Sequence, residues 1–181
     1  MDKDYFKKTE KECWDNLVKF QENYHVFNDI ERINEDKTEG KHHSDASGYT
    51  TNKLGERRNF NIELKNRNQI LLENGSVSGT NENGGGYTGD TIMIESHKVA
   101  DLLLDNIIGL EPLYINFLLD GSILVFNLNK LTKRPHKSDT MNIKSRGYNK
   151  FEMAKRQYLY IIDAAIYKDG KLIKRAGEDF I

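Results

Sequence analysis

The chain has 181 residues, 37% hydrophobic and 30% charged, which is enough to bury one core without disulfides or a structural metal. Its single cysteine, Cys13, excludes an internal disulfide framework and fits a reducing compartment, so a cytoplasmic location is expected. Apolar runs such as 123–126 are too short to span a bilayer, and the charged residues 1–8 carry no apolar stretch behind them, so neither a membrane protein nor a secretory signal is expected.

The net charge of −1 gives no global attraction to polyanions, but the charge is unevenly placed. Residues 1–36 hold ten acidic and six basic side chains, a balance of −4. Residues 130–156 hold nine Lys or Arg against Asp139 and Glu152, a balance of +7. Such asymmetry suits a surface that meets a polyanion, and equally a solvated loop.

In chain order, residues 5–24 predict an amphipathic helix, with Phe6, Cys13, Trp14, Leu17 and Val18 at helical spacings and no Pro or Gly between them. Residues 34–44, with Gly40, His42 and His43, predict a loop. Residues 45–51 and 58–67 predict two strands joined by a turn near 52–55. In the second, Phe60, Ile62 and Leu64 alternate with Asn61, Glu63 and Lys65, which predicts a sheet with one apolar face. Residues 68–72 suggest a helical turn. Residues 73–90, with Gly84, Gly85 and Gly86, predict a flexible loop and not a phosphate-binding loop, because no Walker lysine follows.

Residues 91–95 predict a strand, and Ser96 an N-cap for a helix over 97–108 whose buried stripe is Val99, Leu102, Leu103 and Ile107. Gly109 ends that helix and Pro112 marks its exit. Residues 113–118 and 122–128 predict a hairpin around Asp120 and Gly121. Pro135 and a turn at Arg146 and Gly147 make the basic segment unsuited to a long core strand. Residues 157–167 are strand-forming, and Asp169-Gly170 predicts a last tight turn. The expected fold class is α/β or α+β. It comprises one domain with a mixed central sheet flanked by helices, a core of about 5–128, and a basic C-terminal extension of about 130–181.

The chemistry gathers on the second strand. Glu63 and Lys65 are two apart, so both project from one face. Asp45 lies at the start of the strand expected to pair with it, and a hairpin returns Asp45 beside Glu63. Two carboxylates, with the main-chain carbonyl of Leu64 as a further ligand, offer hard oxygens to Mg²⁺ or Mn²⁺. Lys65 can position attacking water or stabilise charge on the transition state.

Asp45 followed by Glu63-Leu64-Lys65 resembles the PD-(D/E)XK nuclease superfamily, although Ser44 stands where that family places a proline. The resemblance covers about 5–128 and implies a restriction-endonuclease-like core in α-β-β-β-α-β order. It also implies Asp45 and Glu63 as metal ligands, Lys65 as the catalytic lysine, Mg²⁺ or Mn²⁺ as cofactor, and DNA as the partner of an endonuclease. Many such enzymes are homodimers. The family often adds a first-helix glutamate, which points to Glu10 with Glu12 as the other choice. It also places a polar residue on the later helix, where Glu95, His97 and Lys98 stand.

Competing readings exist for each feature. An isolated Glu-x-Lys is most often a solvated pair worth about 0–1 kcal/mol. Glu95 at a helix start is stabilised by the dipole without further purpose. Cys13 is a core residue, and His42-His43 lacks partners at zinc spacing. Lys133, Arg134, Lys137, Lys144, Arg146 and Lys150, with Tyr148, Phe151 and Tyr158 nearby, make a candidate nucleic-acid surface. The rival function is a non-catalytic nucleic-acid- or protein-binding module on the same fold; a metal-dependent hydrolase of another substrate is a third.

Overall fold

A computed structural model describes residues 3–33, 44–80, 86–106, 109–144 and 151–174, with the main chain alone at 3–7, 105, 137–144 and 151–154. The first helix, α1 (Lys3–Tyr24), buries Cys13, Leu17 and Phe20, which recur at spacings of four and three and so form one stripe. That stripe packs on Phe60, Ile62, Leu64, Leu113 and Ile115 of the central sheet. Full burial of one such side chain contributes about 1.5–3 kcal/mol.

Three strands follow α1: β1 (Asp29–Arg32), β2 (Ala46–Thr51) and β3 (Arg57–Arg67), each antiparallel to the one before. The β2–β3 turn is held by Asn52, whose Oδ1 accepts the N–H groups of Leu54 and Glu56, both at 2.9 Å. The chain then leaves the main sheet. β4 (Gln69–Leu71), β5 (Val77–Thr80) and β6 (Gly86–Gly89) form a small antiparallel sheet, and β7 (Thr91–Glu95) leads into α2 (Ser96–Asp105). β8 (Leu110–Leu118) returns parallel to β3, and β9 (Ile123–Asn127) turns back beside it.

β10 (His136–Lys144) and β11 (Phe151–Tyr160) make a hairpin that pairs with β7. A 3-10 turn at Ile161–Asp163 then delivers β12 (Ala165–Lys168) to the free side of β9. β13 (Lys171–Lys174), the last described element, follows β12 through Asp169 and Gly170, both at positive φ (49° and 72°) as a two-residue hairpin turn requires. The main sheet therefore has seven strands in the order β1-β2-β3-β8-β9-β12-β13, mixed because only β3 and β8 run parallel. The class is α+β.

Alternation along each strand builds two cores. Leu113, Ile115 and Phe117 face α1, while Tyr114 and Leu118 join Val99 and Leu102 of α2 and Ile92, Ile94 and Leu159 on the other face. With both faces covered, Phe60 to Leu64 are all buried, including Asn61 and Glu63. The side of β3 expected to be merely polar is thus an interior surface.

Several expectations are corrected. Residues 69–71 are strand, not a helical turn, and the segment 73–90 contributes β5 and β6, with 81–85 outside the described residues. Pairing there runs through the main chain, and Gly79 permits it, since a Cβ would lie 2.2 Å from the carbonyl oxygen of Asn68. The strand 91–95 exists, but it pairs with β11 and not with the motif strands. Ser96 is the first helical residue; Glu95 is the N-cap and makes no side-chain cap bond. Leu103 is 39% exposed and lies off the buried stripe, and Ile107 falls outside the described residues. Pro112 lies within β8. The basic segment supplies the β10–β11 hairpin, and β12 and β13 extend the main sheet beyond the expected 5–128 core. The expected loop at 34–43 lies outside the described residues. No described helix is long and apolar enough to cross a membrane.

Candidate active site

The site forms where β2 ends and β3 continues. The last β2–β3 pair is Ala46 with Ile62, so residues 63–67 of β3 have β8 on one side and, among the described residues, no strand on the other. Their N–H groups on that open side still need acceptors. The Leu64 N–H donates to Asp45 Oδ2 at 2.7 Å, and the Asn66 N–H to the Cys13 thiol. Asp45 is itself anchored, its N–H bonded to the Ile62 carbonyl at 3.0 Å and its carbonyl to the Ile33 N–H at 3.1 Å. A strand residue presents its N–H and C=O on the same side. The Leu64 carbonyl therefore leaves β3 on the side where Asp45 sits.

Glu63 projects from the α2 face of β3 and is 7% exposed. Lys98, in the first turn of α2, lies 3.1 Å from both of its carboxylate oxygens. Burial, then the charge of Asp45, push the Glu63 carboxyl up to about 7 against the pull of Lys98 and Lys65. Burial also raises Asp45; the Leu64 N–H, Lys98 and Lys65 oppose this, while Glu10 adds to it. Burial pulls Lys98 down, but Glu63 and Asp45 outweigh that and leave it raised. Two carboxylates so close in a buried setting resist ionising together, and added positive charge relieves both.

Asp45, Glu63 and Lys65 are thus brought together. Lys65 is exposed, and among the described residues its ammonium makes no hydrogen bond or ion pair, although its charge reaches Asp45, Glu63 and Cys13. Glu10 is exposed on α1 and near enough to act on Asp45, whereas Glu12 pairs with Lys8 at 4.0 Å. Glu95 lies 3.4 Å from His97 Nε2, on the surface, and contributes to the field at Lys98. Cys13 is a core residue whose thiol burial pushes up to about 11.

The donor set suits a hard divalent ion. Mg²⁺ takes one or two carboxylates and keeps several waters, and Asp45, Glu63 and the Leu64 carbonyl offer oxygen only. No group of three or more His, Cys, Asp or Glu side chains able to hold a metal occurs among the described residues.

Of the expected nucleic-acid contacts, Lys133 and Arg134 are exposed, and Lys133 Nζ sits 4.8 Å above the Tyr160 ring. Lys137 and Lys144 lie on β10, where the main chain alone is described; Arg146 and Lys150, like His42 and His43, lie outside the described residues. Sequence reading did not single out Tyr114, Asn116 or Arg67. Arg67 Nε donates to Asn116 Oδ1 at 2.9 Å, and Nη2 donates to the Tyr114 hydroxyl and the Met93 carbonyl. Its only sequence signal is the period of two from Glu63 through Lys65.

No family model, curated protein or solved structure matches the chain.

Proposed function

We propose that this chain is a metal-dependent phosphodiester hydrolase, an endonuclease acting on DNA with a restriction-endonuclease-like core. The observation that carries this reading is the convergence of Asp45, buried Glu63 and Lys65 at the point where β3 outruns β2. The order α1-β1-β2-β3-α2-β8, once the β4–β7 excursion is set aside, supports it as the α-β-β-β-α-β order that the resemblance implies.

Asp45 and Glu63, with the Leu64 carbonyl, would hold Mg²⁺ or Mn²⁺. Such an ion neutralises phosphate charge and acidifies water. The chain's own contribution is positional. β3 fixes Glu63, Leu64 and Lys65 in one register, and the Leu64 amide orients Asp45. Lys65, exposed beside the carboxylates, hydrogen-bonds the attacking water or a phosphate oxygen. Lys98 favours the ionised form of Glu63 and so opposes part of the effect of burial.

Incubation of plasmid and single-stranded DNA with Mg²⁺ or Mn²⁺ tests the proposal. Cleavage that needs the metal and is lost in both Lys65→Ala and Glu63→Ala supports an enzyme. DNA binding without cleavage in any metal favours the non-catalytic module.

A further inference from the structure

Glu63, Lys65 and Arg67 project in sequence from one face of β3, about 6–7 Å apart at each step. Arg67 does not extend away from the site. Its Nε bonds Asn116, the β8 residue registered opposite Lys65, and its Nη2 bonds Tyr114, the residue registered opposite Glu63. The side chain therefore folds back along β8 toward the carboxylates. The Tyr114 hydroxyl, which also donates to the Met93 carbonyl at 3.1 Å, lies within the fields of Arg67, Glu63 and Glu95.

All three groups that Arg67 contacts are neutral, and among the described residues no carboxylate pairs with it. Guanidinium has five N–H donors and keeps its charge at any working pH. Nε and Nη2 are committed, and among the described residues the two N–H groups of Nη1 have no acceptor. Asn116 is fully buried, and with its oxygen held by Arg67 its Nδ2 has no acceptor among the described residues. Among the described residues the side-chain donors left without a bond here are Lys65 Nζ, which is exposed, Arg67 Nη1, on a partly exposed residue, and Asn116 Nδ2, which is fully buried beneath them. A partly exposed, immobilised cation that among the described residues is bonded only to neutral groups keeps charge and N–H donors available to an anion.

We propose that Arg67, clamped by Tyr114, Asn116 and the Met93 carbonyl, binds a backbone phosphate of the nucleic-acid strand, adjacent to the one presented to Asp45 and Glu63. The inference rests on the nuclease reading for the identity of its ligand. Three fixed bonds pre-organise the fork, so little side-chain freedom is lost on binding.

The test is equilibrium binding of single-stranded and duplex oligonucleotides to the full chain in EDTA over a salt series, alongside cleavage in Mn²⁺. Arg67→Gln should weaken binding about tenfold and lower the salt slope by about 0.7 for single strands or 0.9 for duplex, the value of one lost phosphate contact. Arg67→Lys should restore the slope but not the full affinity. If Arg67→Gln fails to fold, arginine Nε–H signals of the wild-type chain, titrated with a 5′-phosphorylated dinucleotide, decide the matter. A response at Arg67 supports the site and silence there overturns it. Wild-type cleavage with unchanged binding by a folded Arg67→Gln overturns the phosphate site and leaves the nuclease intact. An Arg67-dependent salt slope without cleavage in any metal keeps the phosphate site and overturns the nuclease. A wild-type chain that neither binds nor cleaves overturns both.

Discussion

Lys98 Nζ lies 3.1 Å from each carboxylate oxygen of Glu63, so the most buried acid of the site already holds a cation from the facing helix. A divalent ion entering beside Asp45 must share or displace that ammonium. Lys98→Met should therefore bind Mn²⁺ more tightly than wild type by titration calorimetry. Without metal it should melt lower, since removing one member of a buried pair costs about 3–5 kcal/mol before protonation of the survivor recovers part of it. Saturating Mn²⁺ should close much of that gap. Equal Mn²⁺ affinity in the two proteins would remove Glu63 from the ligand set.

The same carboxylate makes stability depend on pH. Glu63 sits at about 7 in the folded chain against an ordinary 4.5, so the folded state keeps a proton that the unfolded chain releases. Its contribution is complete below 4.5 and is lost as pH rises through about 7, by up to about 3 kcal/mol. Asp45, also raised, acts with the same sign. Urea unfolding in EDTA should show wild type less stable at pH 8 than at pH 5, with a shallower decline in Glu63→Gln. Because metal binding must expel the Glu63 proton, Mn²⁺ affinity should rise over the same interval.

Lys65 separates function from folding. Its side chain is exposed and makes no bond among the described residues, so Lys65→Ala should unfold within about 0.5 kcal/mol of wild type. Metal-dependent cleavage should fall about 10²–10³-fold, the usual cost of removing one group that stabilises transition-state charge. Unchanged cleavage by a Lys65→Ala protein of equal stability would exclude a catalytic role for the lysine.

The motif was legible because it depends on local geometry. A period of two fixes which side chains share a face of β3, and the turn at Asn52 returns β2 alongside it. What escaped was set by partners distant in sequence. β1 is four residues with Ile30 as its only apolar side chain, too little for a pattern, yet it pairs with β2 at the edge of the main sheet. Apart from Val77 and Tyr87, β5 and β6 consist of Ser, Gly and Thr and pair through the main chain, so their composition read as loop. Residues 91–95 alternate correctly, but alternation does not say which sheet a strand joins, and β7 joined β11. The burial of Asn61 and Glu63 was not foreseen, because nothing in the sequence shows that α2 covers that side of β3. Arg67 needed Tyr114 and Asn116, residues of a strand more than forty positions away, to become visible as a fixed cation.

Asp45 performs two tasks that substitution can separate. Its Oδ2 accepts the Leu64 N–H at 2.7 Å on the open side of β3, and its charge raises Glu63. Asp45→Asn keeps an acceptor and removes the charge; Asp45→Ala removes both. Both variants should lose metal-dependent cleavage, and in both the pH-dependent loss of stability should move to lower pH, because Glu63 ionises more readily without a neighbouring anion. They should differ in stability. The Ala variant leaves the N–H of buried Leu64 without its Asp45 acceptor and should unfold about 1–3 kcal/mol more easily than the Asn variant in urea. Equal stability of the two would show that another acceptor serves Leu64, and that Asp45 is not what holds the open side of β3 in place.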